Sequence, residues 1–127
     1  GVQVIAEPGR FIVADAARGE FTIVGKSIRN GRPWYYIDDG VYGLFSSQTY
    51  DHVMHQIKYD ESIQHSELFE SVIAGPTCDS IDIISENIML PDLNIGDKIW
   101  AETMGAYCLA TACTFNSIPK AKVIIHE

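Results

Sequence analysis

The sequence predicts a mainly β fold, an antiparallel barrel or sandwich of short strands. Three observations carry that expectation. Apolar, partly alternating segments recur about every ten residues, separated by Gly, Asn and Asp turns. Asn30-Gly31 is the strongest hairpin signal in the chain, because both residues accept the positive φ of a type I′ turn. Hydrophobic residues make up 46% of the 127, which is enough to core one domain of this length.

Residues 3–6 are short and apolar and predict a strand ending at Glu7-Pro8-Gly9. Residues 11–17 leave helix and strand both open: Ala and Asp favour a helix, whereas β-branched Ile12 and Val13 favour a strand. Residues 20–29 alternate through Phe21, Ile23 and Ile28, and residues 34–37 return beyond the Asn-Gly turn. Asp38-Asp39-Gly40 marks the next turn, before residues 41–45. Residues 53–57 and 68–73 are strand candidates, with a polar loop predicted over 58–66. Residues 81–90 are apolar with single charges, 91–96 form a loop, and 97–100 follow it. A short helix over 107–113 and a closing strand over 122–125 complete the expected order. No internal repeat, low-complexity segment or linker interrupts it.

Nine basic residues against seventeen acidic ones give a net charge of −8, without a basic run. That argues against a nucleic-acid face and suits a cationic ligand. Cys78, Cys108 and Cys113 are odd in number and match neither a zinc pattern nor a secreted disulfide framework, so a reducing, cytoplasmic setting is expected. The four histidines lack ligand spacing, and no metal site is expected. The apolar stretch 107–112 is far too short to span a bilayer, and no membrane association is expected. The start at Gly1, already apolar by Val2, is what a processed or excised piece would present.

The chemistry-bearing residues fall into four groups. Gly75-Pro76-Thr77-Cys78-Asp79-Ser80-Ile81-Asp82 sets a thiol in a Gly-Pro turn beside one carboxylate, with a second three residues on. A lone cysteine such as Cys78 is more often a small buried hydrophobe than a catalyst. Glu7-Pro8-Gly9-Arg10 offers a carboxylate suited to a protonated ring nitrogen and a guanidinium suited to phosphate, or simply a turn with a surface ion pair. Tyr50-Asp51-His52 presents a carboxylate for an ammonium, or a polar pair at a strand end. Gly105-Ala106-Tyr107 offers a phenol that can donate to phosphate at close approach, or a packed aromatic after a small-residue turn.

Together with Asp39-Gly40-Val41-Tyr42-Gly43, Gly96-Asp97 and Phe115-Asn116, these groups stand in an order that resembles the C-terminal end of the ornithine decarboxylases. The resemblance covers essentially the whole chain, and the combination is far more specific than any one piece. It implies a pyridoxal 5′-phosphate enzyme of the alanine-racemase-like fold, with an N-terminal TIM-like barrel and a C-terminal β-barrel domain. Residues 1–18 would then be the last barrel strand and its helix, and residues 19–127 the β domain. By the same resemblance Glu7 pairs with the pyridine nitrogen, while Arg10 and Tyr107 hold the phosphate. Asp51 binds the distal ammonium of the substrate. The family's active site lies between two subunits, so Cys78 and Asp79 reach into the partner's site. Asp79 joins Asp51 on the ammonium, and Cys78 protonates the α carbon. Tyr42 sits at the shared interface and Phe115 near the cofactor.

Cys-Asp after Gly-Pro-Thr resembles the ornithine and lysine branch, whereas diaminopimelate decarboxylases carry Cys-Glu there. The implied reaction is L-ornithine to putrescine and carbon dioxide; lysine or another basic amino acid is the alternative. Nothing in the chain matches the cofactor lysine or the glycine-rich phosphate loop of the barrel. A second, N-terminal barrel chain is therefore implied, in a homodimer of composite subunits, and the isolated chain is expected to be inactive. The other reading is a regulatory homologue that keeps the fold and binds a protein. The joint presence of Glu7, Arg10, Asp51, Cys78, Asp79 and Tyr107 speaks against it.

Overall fold

The structure, a computed structural model, describes residues 1–60, 62 and 67–126. Six strands make one curled sheet: β1 (Gly19–Arg29), β2 (Arg32–Ile37), β3 (Ile57–Tyr59), β4 (Phe69–Ala74), β5 (Ile83–Leu90) and β6 (Lys98–Ala101), in the order β3-β6-β1-β2-β4-β5. The mainly β expectation holds. All neighbours are antiparallel except β2 and β4, which pair in parallel with Tyr35 opposite Ile73. A parallel pair cannot be closed by a hairpin and needs a crossover. Residues 38–68 make that connection, and they carry much of the candidate site.

β1 and β2 meet across Asn30 (φ 51°) and Gly31 (φ 77°), the two left-handed residues of the predicted turn. β1 then serves two neighbours. Its first half pairs with β6 and its second with β2, and the register slips between Ile23 and Gly25. The slip leaves Val24 half exposed and bends the strand, which curls the sheet.

Phe21 and Ile23 of β1, Tyr35 and Ile37 of β2, Ile73 of β4 and Ile99 of β6 are fully buried and form the core. Phe45, from the crossover, closes on Phe21 with ring centroids 4.8 Å apart. The Tyr35 phenol is buried too, and its polarity is matched: it donates to the Pro91 carbonyl at 3.3 Å and accepts the Leu93 amide at 3.2 Å. Burial pushes its pKa up from 10.0, which keeps it protonated and able to donate. Tyr35→Phe leaves the Leu93 amide without an acceptor, at an expected cost of about 1–3 kcal/mol. Chemical denaturation checks it.

Five expectations need correction. Residues 3–6 form no strand; Val4 and Ile5 are exposed and have no ladder partner among the described residues. The same holds for residues 122–125, where Val123, Ile124 and Ile125 all face solvent. An apolar pattern supplies a strand's faces but not its neighbour. Residues 53–56 precede β3 rather than forming a strand, and Lys58 and Tyr59, assigned to a loop, lie in β3; of that predicted loop, positions 61 and 63–66 lie outside the described residues. Residues 107–113 form turns rather than a helix. Tyr107 has φ 56°, and side-chain hydroxyls capture the carbonyls a helix would use: Thr111 donates to the Tyr107 carbonyl at 2.6 Å and Ser46 to that of Cys108 at 3.1 Å. The open choice over 11–17 resolves to a short helix, α1 (Arg10–Val13), and a 3-10 turn (Ala14–Ala16).

Candidate active site

The site residues fall into two groups, each built on the turns that leave the sheet. The first centres on Arg10 at the start of α1. Its guanidinium pairs with Asp51 at 2.6 Å, donates to the Ala106 carbonyl at 3.3 Å and lies 5.3 Å from the centroid of the Tyr107 ring. Asp51 is delivered by the short helix α2 (Ser47–Tyr50), whose first carbonyl accepts the Asp51 amide at 2.9 Å.

Tyr107 is set by the turn before it. The Gly105 amide donates to the Ala14 carbonyl at 2.8 Å, and a Cβ on Gly105 would come within 1.8 Å of the Val13 carbonyl oxygen. The smallness of Gly105 thus serves the docking of α1. Gly9 is small for the Tyr107 hydroxyl, which a Cβ there would meet at 2.8 Å. The left-handed backbone of Tyr107 costs on the order of 1–3 kcal/mol, held by the surrounding packing. Glu7 lies in the exposed lead-in with no hydrogen-bond or ionic partner among the described residues.

The second group is stitched by a buried carboxylate. Asp82, 2% exposed, accepts the Thr77 amide at 3.0 Å, the Thr77 hydroxyl at 2.6 Å and the Val41 amide at 2.9 Å. It thereby joins the Gly75–Asp82 turn to the turn after β2. Asp39 caps that second turn through the Gly40 and Leu44 amides at 2.7 and 3.1 Å; burial pushes its pKa up against those bonds. With both turns fixed, the Tyr42 phenol donates a short hydrogen bond to the Asp79 carboxylate. Tyr42 also stacks on Phe115 at 4.2 Å between centroids. Cys78 is exposed, with its sulfur 3.7 Å from the Asn116 amide nitrogen.

The hydrogen bond from Tyr42 holds the Asp79 carboxyl below 3.8, and the carboxylate pushes the phenol up to about 12. These shifts are one bond seen from both ends. Its stabilisation is present above pH 3.8 and fades as Asp79 protonates at lower pH; it fades again as pH climbs from 10 towards 12, where only the unfolded chain's phenol ionises. Tyr42→Phe should return the Asp79 carboxyl towards 3.8, and Asp79→Asn the phenol towards 10, as read by NMR and ultraviolet titration.

The structure therefore brings Arg10, Asp51 and Tyr107 together, and separately Tyr42, Cys78, Asp79 and Phe115. Among the described residues no side-chain hydrogen bond, ion pair or ring contact joins the two groups. The ion pair between Arg10 and Asp51 was not foreseen, since the two were assigned to opposite ends of a ligand. The stitching by Asp39 and Asp82 was missed as well. Its trace in the sequence is three glycines: added Cβ atoms on Gly40 and Gly75 would each come within 2.1 Å of the Asp82 carboxylate, and one on Gly43 within 1.6 Å of that of Asp39.

The family model for the pyridoxal-dependent decarboxylase C-terminal sheet domain matches residues 12–105. The lysine/ornithine decarboxylase of Selenomonas ruminantium is 36% identical over 124 residues, covering 98% of this chain and 31% of that protein. Antizyme inhibitor 2 of Xenopus laevis is also 36% identical, over 96% of this chain and 30% of its own length. The crystal structure of lysine/ornithine decarboxylase complexed with cadaverine from Vibrio vulnificus superposes with a TM-score of 0.90 at 48% identity, over 95% of this chain and 33% of that one. The chain spans about a third of the length of these relatives.

Proposed function

We propose what this chain does from one premise: it belongs to the pyridoxal-dependent decarboxylase family, as its C-terminal sheet domain. It supplies half of each active site in a decarboxylase of basic amino acids, with L-ornithine to putrescine and carbon dioxide as the first assignment and lysine as the alternative. The observation that carries this reading is the division of the site residues into two separately built groups, as a site shared between two subunits requires.

In this reading residues 1–18 belong to the barrel and 19–127 to the sheet domain. A second chain completes the barrel and carries the cofactor lysine. Two composite subunits then pair, so that Arg10, Asp51 and Tyr107 of one face Tyr42, Cys78, Asp79 and Phe115 of the other. We place the assembly in the cytoplasm, in keeping with three free cysteines.

The first group fits a phosphate ester. The Arg10 guanidinium lies over the Tyr107 ring, and the missing Cβ of Gly9 leaves the Tyr107 hydroxyl room. Glu7 would hold a proton on the pyridine nitrogen. Pyridoxal phosphate, when bound, supplies the electron sink for the pair left by departing carbon dioxide. Asp51 and Asp79 take the distal ammonium, and Cys78 gives its proton to the α carbon. Ligand binding would replace the Arg10–Asp51 pair, which costs little: partly exposed ion pairs are worth about 0–1 kcal/mol.

Joining this chain to the barrel portion of its protein and assaying carbon dioxide release tests the reading. Release from ornithine or lysine but not diaminopimelate supports it. Release from diaminopimelate alone would move the chain to another branch. Binding of a protein partner without turnover of any amino acid would favour the second reading, a regulatory homologue, which the likeness to antizyme inhibitor 2 keeps in view.

A further inference from the structure

Behind the first group lies a polar cluster that none of the assigned roles uses. His55 is half-buried, and its Nδ1 lies 3.3 Å from the Glu102 carbonyl. A carbonyl can only accept, so Nδ1 carries the proton and Nε2 is left as an acceptor. The Ser47 hydroxyl, fully buried, donates to Nε2 at 3.1 Å. The buried sulfur of Cys108 lies 3.9 Å from both Nε2 and the Ser47 oxygen. Its thiol donates to the Ala106 carbonyl at 3.3 Å, the same oxygen that receives Arg10. Phe45 closes the cluster with an edge contact at 5.9 Å.

We propose that His55 is a positioning residue that locks the helix delivering Asp51 to the turn presenting Tyr107. This assignment rests on the roles proposed for those two residues above.

The argument is one of connectivity. Ser47 opens α2, and its carbonyl accepts the amide of Asp51, so fixing Ser47 fixes the approach of that carboxylate. Cys108 directly follows Tyr107. Glu102 ends the run from β6 into the turn that carries Gly105 and Ala106. His55 touches all three segments, with a donor at one end of a rigid ring and an acceptor at the other. Burial and the nearby Arg10 charge lower its pKa below 6.5, which keeps Nε2 an acceptor for Ser47 at neutral pH. A serine, asparagine or lysine at this position could not offer both ends across the same span. The sequence names His55 only as one of four histidines without metal spacing, and nothing local separates it from His52.

The test uses the assembled protein with three variants, His55→Ala, His55→Gln and Ser47→Ala. Each is read by crystal structure, by pyridoxal phosphate titration and by the split between KM and kcat. His55→Ala should displace Asp51 and the Tyr107 turn. It should also raise the cofactor Kd and the substrate KM by about tenfold each, the loss expected for one or two hydrogen bonds, with a smaller effect on kcat. His55→Gln, whose amide reaches the place of Nε2, should recover part of that loss. Ser47→Ala removes one hydroxyl and should reproduce a milder form even where His55→Ala does not fold. Unmoved Asp51 and Tyr107 in both alanine variants, with unchanged Kd and KM, would overturn the proposal. A loss of thermal stability without any rescue by glutamine, and with the two residues still in place, would overturn it as well. Should the unaltered protein neither bind pyridoxal phosphate nor release carbon dioxide, the functional reading fails, and displacement in the crystal structures alone decides the role of His55.

Discussion

Replacing Cys78 with alanine is expected to slow amino-acid decarboxylation by the assembled protein by about 10²–10⁴-fold, the usual contribution of a positioned proton donor. The fold should not change. Cys78 is exposed and its only close polar neighbour among the described residues is the Asn116 amide, so truncation removes no buried contact and should alter stability by no more than about 0.5 kcal/mol. Steady-state turnover measured beside a thermal melt separates the two effects. Asn116→Ala should cost much less, because it frees the thiol without removing it. Unchanged turnover and an unchanged product distribution in the alanine variant would take Cys78 out of the mechanism.

The largest stability effect is expected at Asp82. Alanine there leaves the buried Val41 amide and the part-buried Thr77 amide without acceptors, and the cost should reach about 2–5 kcal/mol in chemical denaturation. Asparagine keeps one acceptor oxygen and should cost less. The two neighbouring glycines sharpen the test. Gly75→Ala alone pushes a methyl against a carboxylate held by three hydrogen bonds and is expected to be severe. Combined with Asp82→Ala, that methyl enters space the carboxylate has left. The pair should therefore destabilise by less than the sum of the single changes. Strict additivity would mean that the two residues do not share the space. Because Asp82 joins the turn bearing Cys78 and Asp79 to the one bearing Tyr42, Asp82→Asn should also weaken the Tyr42–Asp79 hydrogen bond, visible as a fall in the phenol's pKa from about 12.

Much of this was legible in the residues, and the exceptions share a cause. The β1–β2 hairpin followed from Asn30-Gly31 and from alternation, since both turn geometry and side-chain faces are local properties. The parallel pairing of β2 with β4 was not legible, because alternation says which side of a strand is buried and not which strand lies beside it. Residues 3–6 and 122–125 carry strand-like patterns that find no partner among the described residues. The helix expected over 107–113 gave way to hydroxyls more than sixty positions away in one case and four in the other (Ser46 on Cys108, Thr111 on Tyr107). The site residues were recognisable as a set, but their sorting into two groups depends on long-range contacts such as Arg10 to Asp51 and Tyr42 to Asp79. His55 needed the fold, since its meaning lies in the three segments it touches.

The crossover demanded by the parallel β2–β4 pair has a consequence for how such a site can change. Hairpin loops are tied in length to the register of the strands they join, so an inserted residue there disturbs the ladder. The part of this crossover before β3, residues 38–56, has no such tie, and lengthening a connection costs little entropy. Tyr42, Ser47, Asp51 and His55 all ride on this one. The span between them can gain or lose residues while the sheet stays as it is, and in the role proposed for Asp51 that would alter how deeply it meets a ligand's tail. Choice between two substrates differing by one methylene would then be open to indels in this segment as well as to substitutions in the pocket wall.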